Sequence, residues 1–287
     1  MIHTGTNRTD SFVAACVQMR TSTDIDRNVE DASALIQEAA KAGAQFVATP
    51  ETTALMELGA KRLFANIVAE EDDRALRAFQ ALASDLNIHL LIGSLAVKVA
   101  DDKAANRSFL IAPDGAIAAR YDKIHMFDVD LGNGEAYRES KNYQAGGEAV
   151  LADLPWGGFG MTVCYDLRFP HLYRQLAHAG AGFLTVPSAF TKPTGEAHWH
   201  VLLRARAIET GCFVFAPAQG GVHENGRETY GHSLIISPWG EVLAEGGTDP
   251  CVILAEIDPS KIDAARSQVP SLTHDRAIVG PEKPSGV

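Results

Sequence analysis

Short apolar runs alternate along the chain with longer amphipathic stretches, and the two periods predict strands and helices in turn. Residues 12–18 read as a strand. Residues 24–42 carry apolar positions at helical spacing, with Asp24 placed as N-cap and Gly43 as the stop. A buried strand over 46–49 ends at Pro50-Glu51. Ala, Leu, Arg and Glu dominate 61–86, which predicts one long helix. Strands follow at 88–93, 108–112 and 116–121, with Pro113-Asp114-Gly115 as a hairpin turn. The polar, glycine-containing stretch 128–147 reads as a loop. Strands at 149–154 and 159–163 precede a helix over 170–179 and a strand over 183–186. A second long helix over 195–210 leads to a strand over 213–216. The pattern closes on strands at 234–237, 241–244 and 252–257, with Pro238-Trp239-Gly240 as a turn.

No linker or low-complexity stretch divides this pattern. Residues 11–287 are therefore expected to form a single domain behind a loose polar tail, residues 1–10. Helices both between and outside the strands predict a layered α/β sandwich. One internal similarity adds to this. Residues 43–51 and 180–188 each follow a helix, run through a buried strand and stop at proline plus a polar residue, Glu51 or Ser188. Sites in α/β sheets gather at the carboxyl ends of strands, so both segments point toward one cleft.

The length of 287 residues, with 46% apolar and 21% charged, suits an ordinary globular α/β protein. A formal net charge of −11 disfavours nucleic acid and anionic membrane surfaces as partners. It also means that an anionic substrate has to be caught by a local cation. No apolar run reaches bilayer length, and the first ten residues lack a signal-peptide pattern. Four cysteines without paired spacing fit a reducing compartment, so a cytoplasmic location is expected. There is no Cys-x-x-Cys pair and no His-Glu-x-x-His motif. His198 and His200 do not share a helical face, and the glycine pairs lack a phosphate-loop pattern. Zinc is not expected on this spacing.

Cys164 stands apart from the other cysteines. It follows an apolar run and precedes Tyr165-Asp166-Leu167-Arg168-Phe169-Pro170, a strand running into a sharp turn and then a helix. Such a turn holds a nucleophile on a rigid element and exposes it at a sheet edge. Cys16, Cys212 and Cys251 sit in apolar strand-like runs and read as core residues. A cysteine nucleophile needs a base and an oxyanion donor. Glu51 is the leading base, since desolvation at a strand end raises a carboxyl pKa toward neutrality. The competing reading is a helix-start glutamate that favours the next helix dipole. Lys123 is a candidate oxyanion donor, against the alternative of a solvated surface lysine. His125 is the rival base. Glu139 is a candidate to hold Lys123 or orient water, with Glu135 close by in sequence. Ser188, Ala189, Phe190 and Thr194 lie in a loop after a strand, where pockets are often lined. Arg168, just past Cys164, can grip a substrate carboxylate in bidentate fashion, or else pair with Asp166 and only shape the turn.

Taken together, Pro50-Glu51, the run from Lys123 through Asp128 and the run from Cys164 through Pro170 resemble the nitrilase superfamily of carbon–nitrogen hydrolases. The resemblance covers nearly the whole chain and extends to Pro187-Ser188-Ala189-Phe190, residues 195–209 and Gly231-His232-Ser233. It implies a four-layer α-β-β-α sandwich, a homodimer that packs sandwich against sandwich or a higher homo-oligomer, and a mechanism that needs no metal or organic cofactor. Glu51, Lys123 and Cys164 match the catalytic triad, Glu139 the auxiliary glutamate, and the Tyr165 backbone N–H an oxyanion donor. Arg168 matches an arginine that related carbamoylases use for a substrate carboxylate. Within the superfamily the chain resembles the Nit branch, on its deaminated glutathione amidase side. The expected activity is hydrolysis of a small carboxylate-bearing amide through a cysteine thioester. The alternatives are an ω-amidase, an N-carbamoyl amino acid amidohydrolase, a Cys–His glutamine amidotransferase, and a non-catalytic binding protein on the same fold.

Overall fold

The computed structural model describes residues 10–132 and 135–280. The expected tail over residues 1–10 thus falls almost wholly outside the described residues. Two mixed sheets form the centre. The first runs, in strand order, Cys251–Ile257, Phe12–Gln18, Phe46–Ala48, His89–Ala100, Lys103–Ile111 and Ile117–Asp122, with Tyr143–Gln144 paired beside Lys103–Ile111. The second runs Val242–Glu245, Leu234–Ile236, Phe213–Ala216, Ala181–Thr185, Gly157–Met161 and Val150–Leu154. The middle strands of each sheet are parallel. They are covered on both faces, which explains why they read as unbroken apolar runs.

Alternation along the strands builds the layers. Phe12, Ala14 and Cys16 face inward and share a core with Phe46, Leu91, Phe159, Phe183 and Phe215 of the two sheets. Their neighbours Ala15 and Val17 face the other way, against helices. Helix α1, Ile25–Lys41, is capped by Asp24, whose side chain accepts from Asp26 N and Arg27 N. It buries Ala32, Ile36 and Ala39 at helical spacing. The single helix expected over 61–86 is two: α2, Ala60–Asn66, and α3, Arg74–Leu86. Tertiary contacts override helix propensity between them. Val68 O accepts from Lys98 N, Glu70 pairs with Arg107 and Arg120, and Asp73 caps α3 by accepting from Leu76 N at 3.0 Å.

On the outer face of the second sheet, α4, Pro170–His178, packs beside α5, Lys192–Thr210. The latter begins three residues before the expected 195, with Pro193 in its first turn, where no intrahelical donor is needed. The order helix, sheet, sheet, helix is the α-β-β-α sandwich. Helix α6, Ser260–Gln268, follows the last strand and was not legible in the apolar pattern.

Other differences lie in the connections. The strands expected at 88–93 and 108–112 are the inner parts of a long hairpin, His89–Ala100 with Lys103–Ile111. The stretch 128–147 is not plain loop. It pairs Asp128–Asp130 with Ala136–Arg138, turns through a 3₁₀ segment at Glu139–Lys141, and adds Tyr143–Gln144 to the first sheet. A further hairpin, Gly220–Val222 with Glu228–Tyr230, has too few apolar residues to show as strands. Among the described residues, no helix is long and apolar enough to cross a membrane.

Candidate active site

Three strand ends converge on one cleft. Phe46–Ala48 leads to Pro50-Glu51, Gly157–Met161 to Cys164, and Ala181–Thr185 to Pro187-Ser188-Ala189. Cys164 N donates to Pro187 O at 3.0 Å, and Ala189 N donates to Glu51 Oε2 at 2.8 Å. The two similar segments therefore meet, as their sequence likeness implied. Gly93 allows the close approach: a Cβ there would lie 2.1 Å from the Thr49 carbonyl oxygen and 2.5 Å from the Pro187 side chain.

Cys164 itself has φ 52, a left-handed conformation that costs a non-glycine residue about 1–2 kcal/mol. It opens the 3₁₀ turn Cys164–Arg168. Asp166 secures that turn. Its carboxylate accepts from Val163 N at 2.9 Å, Tyr121 OH at 2.6 Å and His125 N at 3.0 Å, and meets His125 Nδ1 at 2.7 Å. The alternative pairing of Asp166 with Arg168 is not formed. Arg168 instead lies over the rings of Tyr165 and Phe190, with Nη1 3.3 Å from His198 Nδ1.

Lys123 is only 1% exposed, which rules out the surface-lysine reading. Its ammonium lies 2.9 Å from Glu51 Oε1 and 2.8 Å from Glu139 Oε2. Asn106 Nδ2 bridges the same two carboxylates, at 2.9 Å to Glu51 and 3.1 Å to Glu139. Phe127 N adds a 2.7 Å bond to Glu139 Oε2. Glu135 is engaged elsewhere, accepting from Tyr137 OH at 2.7 Å.

The electrostatics correct the expectation that desolvation sets the pKa of Glu51. Burial does push this carboxyl up, but the Lys123 charge, hydrogen bonds from Cys164 and Lys123, and the more distant Arg227 charge bring it below its ordinary value. Burial likewise pulls the Lys123 ammonium down, yet the Glu139 and Glu51 carboxylates leave it well above the ordinary lysine value. Burial and then the Glu51 charge push the Cys164 thiol up, and the opposing pull of Lys123 does not reverse this. The resting cluster is a neutral thiol hydrogen-bonded to an ionised carboxylate, with an ammonium on the carboxylate's other side. Such a trio can move the thiol proton to the carboxylate as the sulfur attacks.

A pocket of about 270 Å³ opens over this cluster, and Tyr165, Arg168, Ala189, Phe190 and Thr194 all line it. Ser188 does not. Its hydroxyl turns inward and donates to Val186 O at 3.0 Å, so the expectation that it lines the pocket is corrected. Cys16 and Cys212 are buried in the core and Cys251 is half-buried at a sheet edge. Asn106, Tyr137 and Arg227 belong to the pocket and were not singled out in the sequence. Asn106 sits in a strand of no special motif, and the other two sit on the hairpins hidden by polar composition. His200 also finds partners that local spacing could not reveal. Its Nε2 and His232 Nδ1 both lie within 3.0 Å of Glu245 Oε1.

The carbon–nitrogen hydrolase family model matches residues 13–267. The chain belongs to the carbon–nitrogen hydrolase family. A deaminated glutathione amidase from Synechocystis sp. is 41% identical to this hydrolase over 268 residues, 92% of this chain and 97% of that protein. The crystal structure of the Caenorhabditis elegans NitFhit protein is similar with a TM-score of 0.87 and 35% identity, over 93% of this chain and 66% of that one. Saccharomyces cerevisiae Nit3, a member of branch 10 of the nitrilase superfamily, has a TM-score of 0.83 and 27% identity, over 93% and 97% of the two chains. As a carbon–nitrogen hydrolase, the protein has the sandwich whose strand ends carry the Glu51, Lys123 and Cys164 cluster.

Proposed function

We propose that this carbon–nitrogen hydrolase is an amidase that cleaves a small carboxylate-bearing amide, deaminated glutathione or a close analogue, through a thioester on Cys164. The observation that carries the reading is the Glu51 carboxylate, buried and hydrogen-bonded to both the Cys164 thiol and the Lys123 ammonium. The similarity to a deaminated glutathione amidase supports the substrate class.

In this reading, Glu51 takes the thiol proton as Cys164 sulfur attacks the amide carbon. Lys123 and the Tyr165 backbone N–H face the oxyanion that forms, and a single such donor is commonly worth about 2.7–4 kcal/mol. Glu51 gives its proton to the leaving nitrogen as the C–N bond breaks. The nitrogen departs as ammonia from a primary amide, or as an amine from a substituted one. Glu51 then activates water, which attacks the thioester and releases a carboxylic acid and the thiol. Glu139 and Asn106 hold Lys123 and Glu51 in place. Arg168 grips a substrate carboxylate. A Cys–His base is disfavoured because the Glu51 side chain already accepts from the thiol.

Release of product amine from deaminated glutathione, compared with 2-oxoglutaramate, an N-carbamoyl amino acid and a nitrile, tests the reading. Cys164→Ala should abolish turnover while Cys16→Ala, Cys212→Ala and Cys251→Ala keep most of it. Turnover in the Cys164→Ala protein would overturn it. A homodimer is part of the same proposal. On α5, Val201 and Ile208 are exposed, and Ile208 lies against the turn at Gly240, next to the exposed Trp239. Sedimentation at micromolar concentration should give twice the mass of the 30.7 kDa chain.

A further inference from the structure

Arg227 is the residue that the cluster above leaves without a task. It is carried by the hairpin Gly220–Val222/Glu228–Tyr230, which leans over the pocket. Asn225 Nδ2 ties that hairpin to Met56 O at 2.9 Å, and Asn225 Oδ1 accepts from Arg227 N at 3.0 Å. The guanidinium donates from Nη2 to Ala189 O at 2.5 Å and sits 5.5 Å from the Tyr137 ring centre. Its Nη1 faces only the Met56 sulfur at 3.7 Å, a weak acceptor. Among the described residues, Arg227 Nε is the one buried side-chain nitrogen or oxygen with no hydrogen-bond partner. No carboxylate among them forms a salt bridge with Arg227, although it lines the same pocket as Glu51 and Glu139.

A half-buried guanidinium with one good acceptor and no counter-ion is costly to keep. Structural arginines elsewhere in the chain do better. Arg107 has Asp122 and Glu70, and Arg206 has Leu167 O and Glu209. What Arg227 lacks is an anion, and the pocket is where one can reach it. Arg168 lies over Tyr165 and Phe190, and it too forms no salt bridge among the described residues. Of the four cations lining the pocket, Lys123 is held by Glu51 and Glu139 and Arg138 by the Val129 and Tyr137 carbonyl oxygens, which leaves Arg168 and Arg227 for a ligand.

We propose that Arg227 is a second carboxylate anchor, so that the pocket selects amides carrying an anionic group on each side of the scissile bond. This rests on the amidase reading above. Arg168 takes the carboxylate on the acyl side and Arg227 the C-terminal one on the amine side, with the Arg227 guanidinium completing its hydrogen bonds on the ligand. Deaminated glutathione, with a carboxylate at each end, fits this class. A monoanionic ω-amide fills only half of it.

The test uses the full chain, with deaminated glutathione and its C-terminal carboxamide as matched ligands. Calorimetric binding is measured in the Cys164→Ala protein, where the bond is not cut, with and without Arg227→Met. Removing a charge-assisted bidentate contact should weaken binding of the diacid roughly 10- to 100-fold. The carboxamide should change by less than about threefold. Arg227→Lys, which keeps the charge without the fork, should fall between and serves if the Met variant does not fold. Equal losses on both ligands, or none, would overturn the proposal. Turnover is followed separately in protein with Cys164 intact. Selective binding without turnover would leave Arg227 as the anchor and sink the amidase reading. Turnover without selective binding would do the reverse.

Discussion

His125 Nδ1 lies 2.7 Å from Asp166 Oδ1, and its ring stacks on Phe169 with centroids 3.5 Å apart. The histidine that rivals Glu51 as candidate base is thus spent on the carboxylate that braces the Cys164 turn. His125→Ala should loosen that brace and lower kcat/KM by roughly 10-fold, the scale of one to two lost hydrogen bonds. Glu51→Gln should cost far more. Stopped-flow single turnovers that find the alanine variant dead and the glutamine variant near normal would restore histidine as the base.

Glu51→Gln separates nucleophilicity from general-base catalysis. Burial, followed by the Glu51 charge, holds the Cys164 thiol pKa up, while Lys123 pulls it down. Deleting the negative charge leaves Lys123 unopposed by Glu51, so alkylation of Cys164 by iodoacetamide at neutral pH should persist or quicken. Amide turnover should fall by about 10²- to 10⁴-fold, the usual worth of a positioned base. Peptide mapping of the labelled cysteine alongside kcat checks both halves. Parallel loss of labelling and turnover would mean that Glu51 builds the site rather than taking the proton.

The pH profile carries a sign. The folded-state pKa of Glu51 is below its ordinary value, the net of burial raising it and the Lys123 charge, hydrogen bonds and the Arg227 charge lowering it. Its contribution to stability is therefore present above the unfolded value and lost as pH falls through the folded one. Lys123 is the opposite case: its pKa is raised, so its contribution is lost only as pH climbs above the ordinary lysine range. With its carboxyl held below the ordinary range, Glu51, the proposed base, is ionised across neutral pH. kcat/KM should be flat from about pH 5.5 to 7.5, with no limb near the imidazole value of about 6.5. A limb there would point to histidine.

Arg168 has no carboxylate partner among the described residues to hold it in a purely structural role. Arg168→Lys keeps the charge but loses the planar fork. KM for an ω-amido acid should rise by about 10-fold or more while the methyl ester changes little and the melting temperature stays put. Comparable losses on acid and ester would make Arg168 a wall of the pocket and nothing more.

The sequence by itself determined the layers and picked out the residues of the candidate site. Apolar runs at 12–18, 46–49, 159–163 and 183–186 are buried on both faces, so composition alone marks them as central strands. Glu51 and Cys164 stand at breaks that local residues impose, Pro50 after one strand and the turn before Pro170 after another. Only the tertiary structure decided what surrounds them. The break between α2 and α3 depends on Lys98, Arg107 and Arg120, which are distant in sequence. The depressed pKa of Glu51 needs Lys123, 72 residues away, and desolvation alone gave the wrong sign. Ser188 turned inward because the bonds of one residue to Val186 and Pro217 fix its direction, which no motif encodes. Arg227 reached the pocket on a hairpin of glycine and polar residues, where the apolar pattern that reveals strands is missing. Local spacing sees neighbours along the chain; charge balance and side-chain direction are set by neighbours across it.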